Sequence, residues 1–163
     1  CRCRAVLDEN ALVEIEKAIM TLRPATDADR AALFDLHRAV FHSHIEKIWG
    51  WNESWQLLNF AAEFACAATS VIEADGQIVG YVQILDEEDQ IYVQNIAVSQ
   101  EVQGKGIGTR ILKKLQLNAA ARNIPLELGV FRTNTLAQKL YERLGFRRTG
   151  ETTTHIEMSW AAS

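Results

Sequence analysis

The chain has 163 residues, 48% of them apolar and 23% charged, and carries a net charge of −4. That makeup suits one globular domain with its own core and excludes disordered, collagen-like and disulfide-stapled classes. The acidic balance lacks the basic footprint of a nucleic-acid binder, no apolar run approaches the ~20 residues that span a bilayer, and no secretory apolar region is visible. A cytoplasmic protein without nucleic-acid or membrane partners is expected.

Residues 1–19 read as an N-terminal extension of unknown role, with an amphipathic turn or two from Ala11 to Ile19. Cys1 and Cys3 have no neighbouring ligands and make a poor metal site, so no metal is expected. The domain proper occupies residues 20–163. Leu22-Arg23 predicts a short strand closed by Pro24. Thr26 then caps a helix in which Ala32, Leu33, Leu36 and Val40 recur at helical spacing up to about Phe41.

The segment from His42 to Trp55 is broken by Gly50, and Asn52 caps a second helix running to about Phe64. Cys66, in an Ala-rich run, reads as a small core residue. At least two of Trp49, Trp51 and Trp55 read as core anchors, with an aromatic wall for cationic ligands as the functional alternative. Ser70 to Ala74 predicts a strand, Asp75-Gly76 a hairpin turn, and Gln77 to Leu85 the return strand. Asp86 to Asp89 is a solvated turn, and Ile91 to Val98 a longer strand. Gln103 to Gly108 opens a helix over Thr109 to about Ala121. Ile124 to Phe131 is a strand, and Thr133 to Leu144 a helix that Gly145 ends. Two closing strands lie near Phe146–Thr149 and Thr154–Trp160. Hairpins followed by a βαβ crossover make an α/β (mixed α+β) domain. Its central sheet is mixed, mostly antiparallel, of six or seven strands, with helices on both faces.

Two features carry chemistry. Gly104, Gly106 and Gly108 alternate between a strand and a helix. Glycine permits positive φ and close approach of a ligand to the backbone. The free N–H groups of a helix start form an anion site without a basic surface, and Lys105 and Arg110 add charge. By itself such a loop is equally well a plain turn. It has neither the spacing of a nucleoside-triphosphate loop nor that of a dinucleotide site. Second, Asn134 and Tyr141 stand two helical turns apart on one face of the last helix. Taken singly, Tyr141 reads as a core residue.

Together, Gln103-x-x-Gly106-x-Gly108 and Asn134 followed by Leu140-Tyr-Glu-Arg-Leu-Gly-Phe146 resemble the GNAT superfamily of N-acetyltransferases, in a generic bacterial subgroup. The element order from Met20 to Trp160 follows the same family. The resemblance implies a single acetyltransferase domain that transfers an acetyl group from acetyl-CoA to a primary amine by direct attack on the thioester. It implies that Ile96, Ala97 and Val98 line the pantetheine arm. Gln103, Gly104, Lys105, Gly106, Ile107, Gly108 and Thr109 would hold the pyrophosphate, and Asn134 would be a further CoA ligand. Tyr141 would be the acid for the sulfur, and a homodimer would be the assembly.

Family members often carry a Glu or His base on the strand before the loop. Here the corresponding positions are Gln94 and Tyr92, and neither is a base at neutral pH. Glu127, on the neighbouring strand, is the nearest acidic candidate for the base. His42, His44 and Glu46 are further ones, each read first as structural or solvent-facing. The missing strand carboxylate motivates an alternative, a non-catalytic acyl-CoA-binding regulatory module. A structural domain with an unrelated ligand is the third reading.

Overall fold

The computed structural model describes residues 20–163. The expected helical turn within 1–19 and the Cys1-x-Cys3 pair lie outside the described residues. Strands β1 (Met20–Pro24), β2 (Ala68–Ala74), β3 (Gln77–Asp86), β4 (Ile91–Val98), β5 (Leu126–Phe131), β6 (Arg147–Glu151) and β7 (His155–Trp160) form one sheet. Helices α1 (Arg30–Ile48) and α2 (Glu53–Cys66) precede β2, α3 (Ile107–Arg122) precedes β5 and α4 (Thr135–Arg143) follows it. The sheet order is β1-β2-β3-β4-β5-β7-β6, and only β4 and β5 run parallel. This matches the expected mixed, mostly antiparallel sheet.

Alternation along the strands sorts the core into two layers. Ile72, Val82, Ile91, Leu126, Leu128 and Met158 pack with Ile111, Leu112 and Tyr141 of α3 and α4 on one face. Val71, Tyr81 and Ala97 pack with Leu33, Phe34, Phe41 and Phe60 of α1 and α2 on the other. Helix α1 continues past Phe41 to Ile48 because Leu33, His37, Phe41 and Ile45 make one buried stripe at four-residue intervals. His37 belongs to that stripe as a hydrogen-bonded core residue. Its Nε2 faces Gln56 Oε1 at 3.2 Å and its Nδ1 faces Tyr81 Oη at 3.2 Å. An amide oxygen only accepts, so Nε2 carries the proton and Nδ1 accepts from the tyrosine.

At the start of α1, Asp29 binds the Thr26 backbone N–H at 2.8 Å and takes a two-pronged grip from Arg23 at 2.8 Å on each oxygen. The Arg23 hydrogen bonds, followed by that from Thr26, hold the Asp29 carboxyl well below the usual carboxylate range.

Two expectations about burial do not hold. Cys66 is exposed, because it lies six residues beyond the buried Phe60 and so off the packed stripe of α2. Trp49 and Trp55 are 59% and 57% exposed, so only the half-buried Trp51 packs toward the core. Trp49 stands just past the end of α1, before the break at Gly50 with φ of 79°, and Trp55 lies in the first turn of α2 off the stripe of its buried Gln56 and Phe60.

Candidate active site

Strands β4 and β5 pair over only three steps, Ile91↔Leu126, Tyr92↔Glu127 and Val93↔Leu128. Beyond them the strands part. One cause is a bulge: Ile84 pairs Val93 but Gln83 pairs Asn95, which leaves Gln94 as an extra residue. The bulge puts the side chains of Gln94 and Asn95 toward the same carboxylate, Glu63 of α2, at 3.4 and 2.9 Å. Asn95 also donates to the fully buried Gln83 at 2.7 Å. The second cause is that β5 is held along its whole length by β7, to Phe131↔His155, and cannot follow β4.

Past the bulge the backbone of β4 faces the gap in a defined way. The Ser99 N–H donates to Val79 O at 2.7 Å, so residues alternating with it, Ala97 and Asn95, direct their main-chain groups to β3. Ile96 and Val98 therefore direct theirs into the split. The Val98 carbonyl accepts Gln103 Nε2 at 2.8 Å, which ties the following loop to the end of the strand.

That loop closes one end of the split. Gly104 and Gly106 have φ of 81° and 82°, and Gly106 is the residue from which α3 departs. A Cβ at either position would meet no protein atom within 4 Å, so the backbone there is open to approach from outside. The α3 ladder begins with Arg110 N–H to Gly106 O at 3.0 Å, and the N–H groups of Ile107, Gly108 and Thr109 precede it. Gly108 brings α3 against α4, where an added Cβ would lie 3.7 Å from Leu140.

Helix α4 forms the other end on the same face. Asn134 caps it, its Oδ1 accepting the Ala137 N–H at 3.2 Å, while its own N–H donates to Phe131 O at 2.9 Å. Gln138, one turn on, donates to the carbonyls of Phe131 and Arg132 at 3.0 Å each. Tyr141 follows, 7% exposed, with its ring 5.7 Å from Phe146. Burial pushes its phenol up to about 12, so the hydroxyl keeps its proton across the neutral range. Asn134, Gln138 and Tyr141 thus form one stripe. Gln138 stands at helical spacing from both neighbours, and an isolated glutamine there carries no signal in the sequence.

The opposite face of the split carries different chemistry. A Cβ on Gly129 would sit 3.0 Å from Tyr92 Oη and 3.1 Å from Glu157 Oε1, so both groups lie directly over that glycine. The Tyr92 hydroxyl donates to Glu157 at 3.5 Å, and burial followed by the nearby carboxylates pushes that phenol up to about 12. Glu127 lies one step back, beside the paired part of the strands, where it accepts Ser159 Oγ at 3.1 Å.

Next along β5, Phe131 meets the rings of His155, His44 and Trp49 at 4.6, 5.8 and 6.2 Å. His44 Nδ1 pairs with Thr133 Oγ1 and His155 Nδ1 with Thr154 Oγ1, both at 2.7 Å. Burial lowers the pKa of both imidazoles. His42 and Glu46 lie apart from this group. His42 lies 4.7 Å from the Trp51 ring, and Glu46 accepts the Trp51 backbone N–H at 2.9 Å.

A parallel pair that splits at a bulge, with a glycine cradle at a helix start, defines an acyltransferase architecture. The sequence over residues 57–148 matches the family model described as the acetyltransferase (GNAT) domain, and the chain belongs to that family. It is 40% identical over 81 residues to an uncharacterized N-acetyltransferase of Methanocaldococcus jannaschii, an alignment covering 47% of this chain and 51% of that protein. The chain therefore spans about half the length of that relative. It is 28% identical over 143 residues to the spermine/spermidine N(1)-acetyltransferase of Bacillus subtilis, covering 81% of this chain and 90% of that one. Among solved structures, the PaiA N-acetyltransferase of Thermoplasma acidophilum in complex with coenzyme A superposes with a TM-score of 0.71 at 14% identity. That match covers 88% of this chain and 99% of that structure. Among the described residues no helix is long and apolar enough to cross a membrane.

Proposed function

We propose that this chain is a cytoplasmic, acetyl-CoA-dependent N-acetyltransferase that acetylates a primary amine by direct attack on the thioester. The observation that carries the reading is the continuous track from the inward-facing main chain of Ile96 and Val98 to the open backbone at Gly104 and Gly106. An extended arm with amide groups fits the first part, as an added strand would. A pyrophosphate fits the second, on the N–H groups of Gln103, Gly104, Lys105, Gly106, Ile107, Gly108 and Thr109 at a helix start.

Acetyl-CoA would supply an activated acyl group and a thiolate leaving group. The chain's part is to orient and to move protons. The Ile96 N–H, aimed into the split, would stabilise negative charge developing on the acyl oxygen. Tyr141 would hold a proton for the departing sulfur, and its raised pKa keeps that proton in place until it is needed. Asn134, engaged as the α4 cap through Oδ1, has its amide nitrogen left for the CoA arm. The amine proton would pass to a carboxylate on the Tyr92 face, where Glu127 is the residue read from the sequence. An amine acceptor is supported by the name of the Bacillus subtilis relative, which acts on spermine and spermidine. A homodimer would be the working assembly.

Calorimetric titration tests this. Acetyl-CoA and CoA should bind, and ATP and NAD should not. Gly106→Trp should lose at least a hundredfold in acetyl-CoA affinity, because a side chain there starts where no protein atom lies within 4 Å of its Cβ and the pyrophosphate would sit; the φ of 82° strains any side chain, so Tm is measured beside affinity. A folded wild type that ignores acetyl-CoA overturns the reading. Release of thiol with an amine separates the enzyme from a non-catalytic acyl-CoA-binding module.

A further inference from the structure

Tyr92 and Glu157 cross over Gly129. The crossing stands where β4 and β5 part, one residue beyond the last paired step at Leu128. Glu157 comes from β7, inserted beside β5, and faces Gly129 in register. A Cβ there would stand 3.0 and 3.1 Å from the two polar groups, so a larger residue would push one or both of them aside. The crossing thus brings a half-buried carboxylate to the opening of the split, on the face away from α3 and α4. The aromatic group of Phe131, His155, His44 and Trp49 adjoins it on that face, and Trp49 is more than half exposed.

We infer that Glu157 takes the proton from the acceptor amine, that Tyr92 positions its carboxylate, and that the acceptor is a cationic aliphatic amine held against the Trp49–Phe131 wall. The inference rests on the transferase reading above. The step balances simply. The ammonium gives a proton to Glu157 and its freed lone pair forms the N–C bond. The C–S bond breaks and the sulfur leaves with a proton from Tyr141; the nitrogen, now part of the amide, sheds its second proton through water to the Tyr141 oxygen, and Glu157 releases its own to solvent. Aromatic faces attract cations, and a carboxylate beside them stabilises the ammonium before the proton moves. Glu127 reaches the same face but sits beside paired strand and is engaged by Ser159.

The test uses the whole chain with acetyl-CoA and a panel of aliphatic polyamines, amino acids and arylamines, followed by thiol release. An aliphatic amine should give the highest kcat/KM. Glu157→Gln keeps the shape and should lower kcat at least a hundredfold while acetyl-CoA affinity and Tm stay put. The loss should shrink as pH rises toward the pKa of the amine, because a neutral amine needs no base. Tyr92 hydrogen-bonds Glu157, the Glu157 charge acts on His155, Glu127 lies two residues before Gly129 on β5, and β6 places Gly150 opposite Glu157 and Arg147 opposite Ser159. None of them is altered in the comparison. Tyr92→Phe keeps the base and should cost less than tenfold in kcat.

Equal kcat in Glu157→Gln and wild type overturns the role of Glu157 while leaving the transferase intact. So does a larger loss in Glu127→Gln than in Glu157→Gln. An arylamine as best acceptor overturns the cationic assignment. No turnover with any amine, despite a folded protein, overturns the transferase reading itself.

Discussion

Tyr141 and Glu157 stand on opposite faces of the same split, and their surroundings suit opposite tasks. The phenol is buried with its pKa pushed up to about 12, so it holds its proton; the carboxylate lies at the opening, where a solvated cation can reach it. Removing the Tyr141 hydroxyl should therefore leave cofactor binding and cripple proton delivery. Tyr141→Phe is expected to lower kcat about a hundredfold, within the usual range for an acid catalyst, with acetyl-CoA affinity changed less than threefold. Steady-state rates beside calorimetry check this; unchanged kcat would show that the sulfur leaves without this proton. The glycines of the loop and Tyr141 draw attention only together: singly they read as a plain turn and a core residue, and their joint order and separation carry the resemblance. Glu157 was not legible, since a glutamate in a terminal strand has no signature until β7 is known to lie beside Gly129.

At the scale of the element, α4 shows a residue with two readings at once. The sequence pointed to Asn134 as a ligand of CoA, and the structure has its side-chain oxygen capping the helix that carries Gln138 and Tyr141. Asn134→Ala removes the cap and should destabilise the protein by about 1 kcal/mol, while Asn134→Ser should keep most of that stability. Urea unfolding of the three proteins measures it. If serine restores stability but not acetyl-CoA affinity, the amide nitrogen serves the cofactor as well. The bulge in β4 was the hidden element. Val93-Gln-Asn-Ile96 does break strict alternation, with two polar residues in a row, but a polar residue turned inward would give the same pattern, and only the register against β3 shows that Gln94 is an extra residue. The extension of α1 was hidden for a related reason: counting apolar residues alone omits His37, whose burial depends on partners from α2 and β3.

For the molecule as a whole, three imidazoles tie stability to pH with one sign. Burial lowers the pKa of His37, His44 and His155 from 6.5, so protons bind the unfolded chain more readily than the folded one. Their contribution is complete above about 6.5 and is lost as pH falls through the lower folded values. Each proton gives a slope of at most about 1.4 kcal/mol per pH unit. Urea midpoints should drop between pH 7.5 and 5, and His37→Phe should flatten that drop. A midpoint in wild type independent of pH in this window would contradict it. Asp29, depressed by Arg23, adds the same direction only at lower pH, below its ordinary 3.8.

Local chemistry in the sequence determined the element types, the mixed sheet, the glycine cradle and the helix stripe. Each depends on residue type and short spacing, which hydrophobic periodicity and backbone preference read directly. Tertiary structure alone decided where β4 and β5 part, that β7 enters between β5 and β6, and that Tyr92 and Glu157 meet over Gly129. Those features arise from pairing between segments far apart in the chain. A strand's own sequence leaves its neighbour and its register open until the sheet forms.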